Sequence, residues 1–247
     1  MEIHLSAETI FKVFNLPITN TILTTWVVSI ILIISSFFVG RNVKLLPNNI
    51  QNFFEAGVEF LYNIVEDLAG NKTKTFFPIV ATFFLFIIVS NYLGLLPGFG
   101  TIGFFEHTNK KEVFVPLLRS ANSDLNTTLS LALVSLGLTH YYSVSFLGIG
   151  DYIKKFFSFN PIYLFVGLLE LIAEFTKLLS LSFRLFGNVF AGEALLISLS
   201  GLFAFILPIP FLGLELLVGF VQAAIFSILT LVFMVILTEK HSLGGEH

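Results

Sequence analysis

Apolar residues occur in long runs separated by short polar stretches. The first run covers residues 22–40, with Trp26 as an interfacial anchor, and stops at Gly40-Arg41. It is long enough to cross a bilayer once. Residues 50–69 differ. Ile50, Phe53, Phe54, Val58, Leu61, Ile64, Val65 and Leu68 recur at helical spacing, with Asn52, Glu55, Glu59 and Asp67 between them. The pattern predicts an amphipathic helix too polar to span. A membrane-surface helix carries bases on its polar face, whereas this one carries acids. It is therefore expected to dock on a partner or on the chain's own spans. A second span is predicted over 76–96, closed by the stop signature Gly94-Leu-Leu-Pro-Gly98. A polar loop follows from Gly100 to Ala121, then a third span over 124–145 and a short break from Gly148 to Lys155.

The last third is built differently. From Pro161, a natural helix-start residue, a helix is predicted within 158–200, softened only at Gly167, Gly187 and Gly192. Its length would be roughly 55–60 Å, against a hydrocarbon core of about 30 Å. Pro208 and Pro210 break the chain, and 211–238 predicts a second overlong helix of roughly 40 Å. Such helices must tilt, kink or lie along the membrane. The expected fold is an all-α integral membrane protein forming one membrane domain over 1–247. It has about three upright spans, the amphipathic surface helix and a long, strongly tilted C-terminal hairpin, with residues 1–21 external.

Composition strengthens this picture. Charged residues make up 12% of the chain, about half the share of a soluble domain, and mean hydropathy is +0.91. A net charge of −3 argues against nucleic acid, which calls for a basic footprint. With no cysteine there is no disulfide framework, thiolate chemistry or Cys-ligated metal. His4, His107, His140, His241 and His247 are scattered without ligand spacing, so no metal or other cofactor is expected. The N-terminus, with Glu2 and Glu8 ahead of Lys12, does not read as a removable signal peptide. Arg41, Lys44, Lys72 and Lys74 flank the connection between the first two spans, which places it in the cytoplasm. Lys154 and Lys155 agree with that orientation, while Lys110, Lys111 and Arg119 fall on the outer side, against the rule.

The hairpin is where candidate chemistry lies. Glu170, Glu174, Lys177, Arg184, Glu193 and Glu215 all sit within its apolar helices. Arginine keeps its proton at physiological pH, and insertion scales put its mid-membrane cost at roughly 2.5–3.5 kcal/mol. On a helical wheel Lys177 lies about 20° from Arg184, with Glu170 and Asn188 about 40° to the same side. Glu193 faces about 180° away if the helix is continuous. Glu170, Glu174 and Lys177 read first as an internal ion pair near a helix start. Arg184 reads either as burial against a carboxylate or as a charge the protein uses. Glu193 and Glu215, isolated among aliphatics, read either as neutral acids hydrogen-bonded in an interface or as proton-relay carboxylates. Gln222 shares a face with Glu215 and could be an interhelical hydrogen-bond residue.

The block Ser182-Phe-Arg-Leu-Phe-Gly-Asn-Val-Phe-Ala-Gly-Glu193, preceded by Glu170-Leu-Ile-Ala-Glu-Phe-Thr-Lys177, resembles the signature of subunit a of the F-type ATP synthase. Asn91-Tyr-Leu-Gly-Leu-Leu-Pro-Gly98, Ser123-Asp-Leu-Asn-Thr-Thr-Leu-Ser130 and Val221-Gln-Ala-Ala-Ile-Phe226 match in the same order. The resemblance covers nearly the whole chain. It implies that Arg184 is the essential stator arginine and that Asn188 and Gln222 are polar residues beside it. Glu193 matches an acid of one proton path, and Glu215 stands where relatives carry histidine or glutamate. Apart from the resemblance, Asp124 and Asn126, like Glu170, Glu174 and Lys177, are expected to be secondary, structural polar residues. His140 has no assignable counterpart.

The implied function is proton translocation between a stator and a rotor. The implied partners are the rotor c-ring subunits, peripheral-stalk b subunits, the F1 catalytic sector indirectly, and the lipid bilayer. The implied site is a bacterial inner membrane rather than an organelle or thylakoid. No Gly-x-x-x-x-Gly-Lys-Ser/Thr loop is present, so nucleotide chemistry belongs to partners. The alternative, an ion-coupled secondary transporter with a midplane ion pair, predicts internal repeats. The N-terminal half holds no copy of the Arg184 block. A purely structural scaffold leaves the ionisable groups of the hairpin unexplained.

Overall fold

The computed structural model describes residues 8–13, 16–41, 44, 48–96, 98–100, 102–108, 111–156, 161–202 and 208–239. Residues 1–7 of the expected external segment, Pro97 of the stop signature and positions 158–160 of the expected hairpin lie outside them.

The described residues form seven α-helices and two small β-hairpins. Helix α1 (Asn20–Arg41) leaves Ile30, Ile33, Phe37 and Phe38 exposed, as a span facing lipid or a partner does. Helix α2 (Asn49–Ala69) is the predicted amphipathic element, and it passes through a tight turn at Gly70–Lys72 into α3 (Thr73–Gly94). Of the two expected docking surfaces, the chain's own spans receive its second half. Leu61 and Val65 are buried and the Tyr62 ring meets Phe77 at 5.3 Å. Phe53, Phe54, Val58 and Phe60 remain exposed.

Helix α4 (Leu125–Leu147) begins at an N-cap, the Asp124 carboxylate accepting from the Asn126 backbone N–H at 3.1 Å. Gly148, with φ of 83°, turns the chain out of it. The segment expected to be a break is instead helix α5 (Ile149–Phe156), laid against α4 and α6. Its eight residues offer too few turns for periodicity to declare a helix.

The hairpin consists of α6 (Pro161–Leu202), of 42 residues, and α7 (Pro208–Thr238), of 31. At 1.5 Å per residue α6 is roughly 60 Å long, about twice the hydrocarbon thickness, so it cannot stand upright in a bilayer. Helices long and apolar enough to cross are α1, the α2–α3 stretch, α4 and α7. The chain is an all-α membrane protein.

Two short hairpins were not foreseen. Strands β1 (Thr9–Val13) and β2 (Leu16–Thr19) pair antiparallel, as do β3 (Gly103–Thr108) and β4 (Lys111–Pro116) within the expected polar loop. Strands this short give too few alternations to separate from loop.

The core joins α3, α4, α6 and α7 through Phe83, Phe84, Ile87, Ala132, Leu181, Leu185 and Phe226. A second cluster joins α2, α3 and α7 through Val65, Phe76, Val80, Leu231 and Met234. Hydroxyls tie the helices where apolar burial gives little drive in lipid. Ser135 bonds Thr230 at 2.7 Å, Thr128 bonds Ser182 at 3.2 Å, and Ser143 donates to the Leu237 carbonyl at 2.8 Å. At the start of α3, Lys72 Nζ donates to the Thr238 carbonyl at 3.0 Å and to its hydroxyl at 2.9 Å. The ammonium thus closes the carbonyl end of α7, where a cation suits the helix dipole.

Candidate functional site

At the Gly94 end of α3, opposite Lys72, side-chain amides fix the geometry. Asn122 donates to Asn91 Oδ1 at 2.8 Å, and Asn91 donates to the Gly219 carbonyl at 3.1 Å. Thr21 donates to Asp124 Oδ2 at 3.1 Å, which brings the starts of α1 and α4 to the same end. Asp124 thus caps α4 through the Asn126 N–H and ties it to α1 through Thr21.

This scaffold frames a cavity of about 320 Å³ lined by Asn91, Arg119, Asn188, Glu193, Glu215 and Gln222, among others. Between α6 and α7, Asn188 Nδ2 donates to Gln222 Oε1 at 2.7 Å. Glu193 is not the isolated acid that its aliphatic neighbours along the chain suggest. Arg119 Nε stands 3.4 Å from its Oε1. Arg119 itself is 9% exposed, so the basic residue that broke the orientation rule is folded inward as a counter-charge. Glu215 reaches across to α6 and rests over Gly192, where any Cβ would collide with its carboxyl group. Gly192, a soft point of α6 by its sequence, is the gap through which α7 delivers a carboxylate.

Arg184 lies elsewhere. It is exposed on α6, and its guanidinium donates to Ser180 Oγ at 3.2 Å. With Lys177, Ser180 and Thr176 it lines an open groove of about 510 Å³ running toward the other end of the hairpin. Burial of Arg184 against a carboxylate of its own chain is thus not what the fold provides. Asn188, one turn on, points into the cavity, so the predicted polar stripe is split between groove and cavity.

At the Lys72 end the acids are paired. Lys177 Nζ contacts Glu174 Oε1 at 2.7 Å, the i, i+3 pair that the spacing suggested. Glu170 does not join it. Its partner is Lys155 of α5, at 3.6 Å, a contact hidden from spacing along one helix. His140 Nδ1 lies 3.0 Å from the Tyr152 hydroxyl, and His140 Nε2 lies 3.9 Å from Glu174 Oε2. Burial first, then the carboxylates of Glu174 and Glu170, raise the Tyr152 phenol above its usual pKa and keep it protonated.

The family model described as ATP synthase A chain matches residues 22–235. The chain belongs to the ATP synthase A chain family. It is 30% identical over 238 residues to ATP synthase subunit a of Moorella thermoacetica, covering 96% of this chain and 99% of that one. It is 35% identical over 214 residues to ATP synthase subunit a 1 of Pelobacter propionicus, covering 85% of this chain and 83% of the relative. A further relative, subunit a 3 of the same organism, is also 35% identical over 214 residues.

Within an A chain of this architecture, the two long helices separate the charged groups into an acid-lined cavity and an arginine-bearing groove. Sequence reasoning missed Arg119 as a member of the cavity, and missed the contacts of His140 with Tyr152 and Glu174 and of Lys155 with Glu170. Arg119 left a signal as a base on the outer side of the membrane.

Proposed function

We propose that this chain is the proton-conducting stator of an F-type ATP synthase membrane sector, working in a bacterial inner membrane. The basic residues of the α1–α2 connection orient the Lys72 end inward and the Arg119 cavity outward. The cavity is then the outer half-path, with Glu193 and Glu215 as its proton-exchanging carboxylates and Asn188 and Gln222 at its inner limit. The observation that carries this reading is the division of the hairpin, with Glu193 and Glu215 lining one cavity and Arg184 outside it on an exposed face.

A rotor ring packed against that face would present one carboxylate at a time to Arg184. The fixed guanidinium stabilises the ionised carboxylate and lowers its pKa, so the proton departs. The same charge repels protons and bars direct passage between the half-paths. A proton must therefore ride the ring almost a full turn to leave. Each charge moved yields about 2.3 kcal/mol per 100 mV, which several protons per ATP sum to useful work. Peripheral-stalk b subunits hold the chain against the ring, and ATP chemistry belongs to the catalytic sector.

Glu193→Gln and Glu215→Gln are expected to slow translocation at full assembly, because glutamine keeps the hydrogen bonds but exchanges no proton. Glu215→His should retain partial function, since imidazole titrates near neutrality. ATP-driven quinacrine quenching, normalised to assembled complex, measures both. Normal pumping by both glutamine variants would remove the carboxylates from the path.

Gly192→Ala tests the close approach. The new methyl meets the end of a flexible side chain, so the fold accommodates it by displacing the Glu215 carboxyl. Assembly is expected to hold while pumping falls several-fold. Unchanged pumping would show that the position of Glu215 over α6 is immaterial.

A further inference from the structure

The cluster at the Lys72 end contains an oxygen that an ion pair does not explain. Glu174 is 6% exposed. Its Oε1 is satisfied by Lys177, but Oε2 is buried with no hydrogen-bond partner among the described residues. A desolvated carboxylate oxygen left bare is unfavourable. It faces His140 Nε2 at 3.9 Å, a small side-chain movement short of a hydrogen bond. The other ring nitrogen already meets the Tyr152 hydroxyl at 3.0 Å. Imidazole is the side chain suited to accept a proton at one nitrogen and release one from the other.

We propose that Glu174, His140 and Tyr152 are the proton relay of the inner half-path, linking the Arg184 groove to the inner surface. The inference rests on reading the chain as a proton-conducting stator, and adds residues to the half-path opposite the Glu193 cavity. Along α6, Arg184, Ser180 and Lys177 line one groove, and Lys177 delivers it to Glu174. A proton arriving at Glu174 leaves Oε2 as an N–H bond forms at His140 Nε2. The Nδ1–H bond then breaks toward Tyr152 Oη, whose own proton passes to inner water. Exchange of the imidazole proton between nitrogens resets the chain, and no electron changes hands. In the pumping direction each step reverses.

The surroundings suit the task. From α6, Glu174 and Lys177 face His140, and Glu170 stands near Tyr152. From α5 come Tyr152 and Lys155, the latter holding Glu170 at 3.6 Å and the Ile236 carbonyl at 3.5 Å. Asp151 and Lys154 pair with each other on the exposed side of α5. On α7 the Phe233 ring lies 4.8 Å from Lys177 Nζ. Lys155 thereby fixes α5, and with it Tyr152, at the mouth of the path. The raised pKa of Tyr152 keeps its hydroxyl available as a donor.

The test uses the assembled synthase in inverted vesicles, whose medium contacts the inner face. ATP-driven pumping per assembled complex is measured against medium pH for His140→Gln, Glu174→Gln, Tyr152→Phe and, in parallel, Arg184→Lys. Glutamine can still bond Tyr152 but cannot titrate. His140→Gln is expected to lower pumping by more than about tenfold and to remove one titration from the medium-pH profile. Glu174→Gln should behave alike, and Tyr152→Phe should give a smaller but clear fall. Assembled His140→Gln complex with wild-type rate and profile would overturn the relay. Should His140→Gln fail to assemble, Tyr152→Phe decides, since it removes a single oxygen, and a wild-type rate and profile there would also overturn it. Inactive Arg184→Lys beside normal His140→Gln sinks the relay alone. Active Arg184→Lys sinks the stator reading beneath it.

Discussion

Arg184→Lys is expected to abolish proton-driven ATP synthesis while leaving the chain inserted and the complex assembled. Lysine keeps a positive charge at full hydration, but it loses its proton readily when buried and lacks the planar five-donor fork. Arg184 is exposed in the chain, with its hydrogen bond to Ser180 at 3.2 Å. An interface that covers it must therefore bring its own counter-charge, the role assigned to the ring carboxylate. A guanidinium meets that carboxylate without the possibility of neutralising itself; an ammonium in the same closed interface can. Synthesis driven by an imposed proton gradient, measured per assembled complex, checks the expectation. Near-normal rates would remove the fixed charge from the mechanism.

Arg184→Ala should have a different and equally large effect, a proton leak without ATP turnover. Only the positive charge is proposed to separate the groove beside Lys177 from the cavity beyond Asn188, and these lie on neighbouring turns of α6. Once the charge is gone, a ring carboxylate can exchange with either path in both directions. Vesicles stripped of the catalytic head and polarised with valinomycin should take up protons faster than wild type. Uptake no faster than wild type would falsify the barrier role.

Local pattern carried much of this protein. The runs of apolar residues declared the spans, because in lipid every backbone polar group must be satisfied within its own segment. Pro161 falls at a helix start, where a missing N–H is harmless. Pro208 and Pro210, expected to break the chain before 211, instead lie in the first turn of α7, where the same reason tolerates them. The i, i+3 relation of Glu174 and Lys177 was legible for the same reason, since both ends of the pair lie on one helix. Pairings between elements were not legible. Glu170 was assigned to its own helix but is held by Lys155 of α5. Along the chain Glu193 stands among aliphatics, and in the fold Arg119 lies beside it.

Arg119 shows where the boundary lies. In the sequence it is a base on the wrong side of the membrane, a statistic with no residue attached to explain it. In the fold it is buried against a carboxylate more than seventy positions away. Gly192 is similar: along the chain it weakens a helix, and in three dimensions it is the opening for Glu215. The sequence by itself determined the helical membrane class, the hairpin too long to stand upright and the identity of its charged residues. These follow from composition and local periodicity. Only the tertiary structure decided which charges share a cavity, which stay exposed and which join across helices. Those outcomes depend on how α4, α5, α6 and α7 pack, and packing brings together residues that no period along one chain segment can relate.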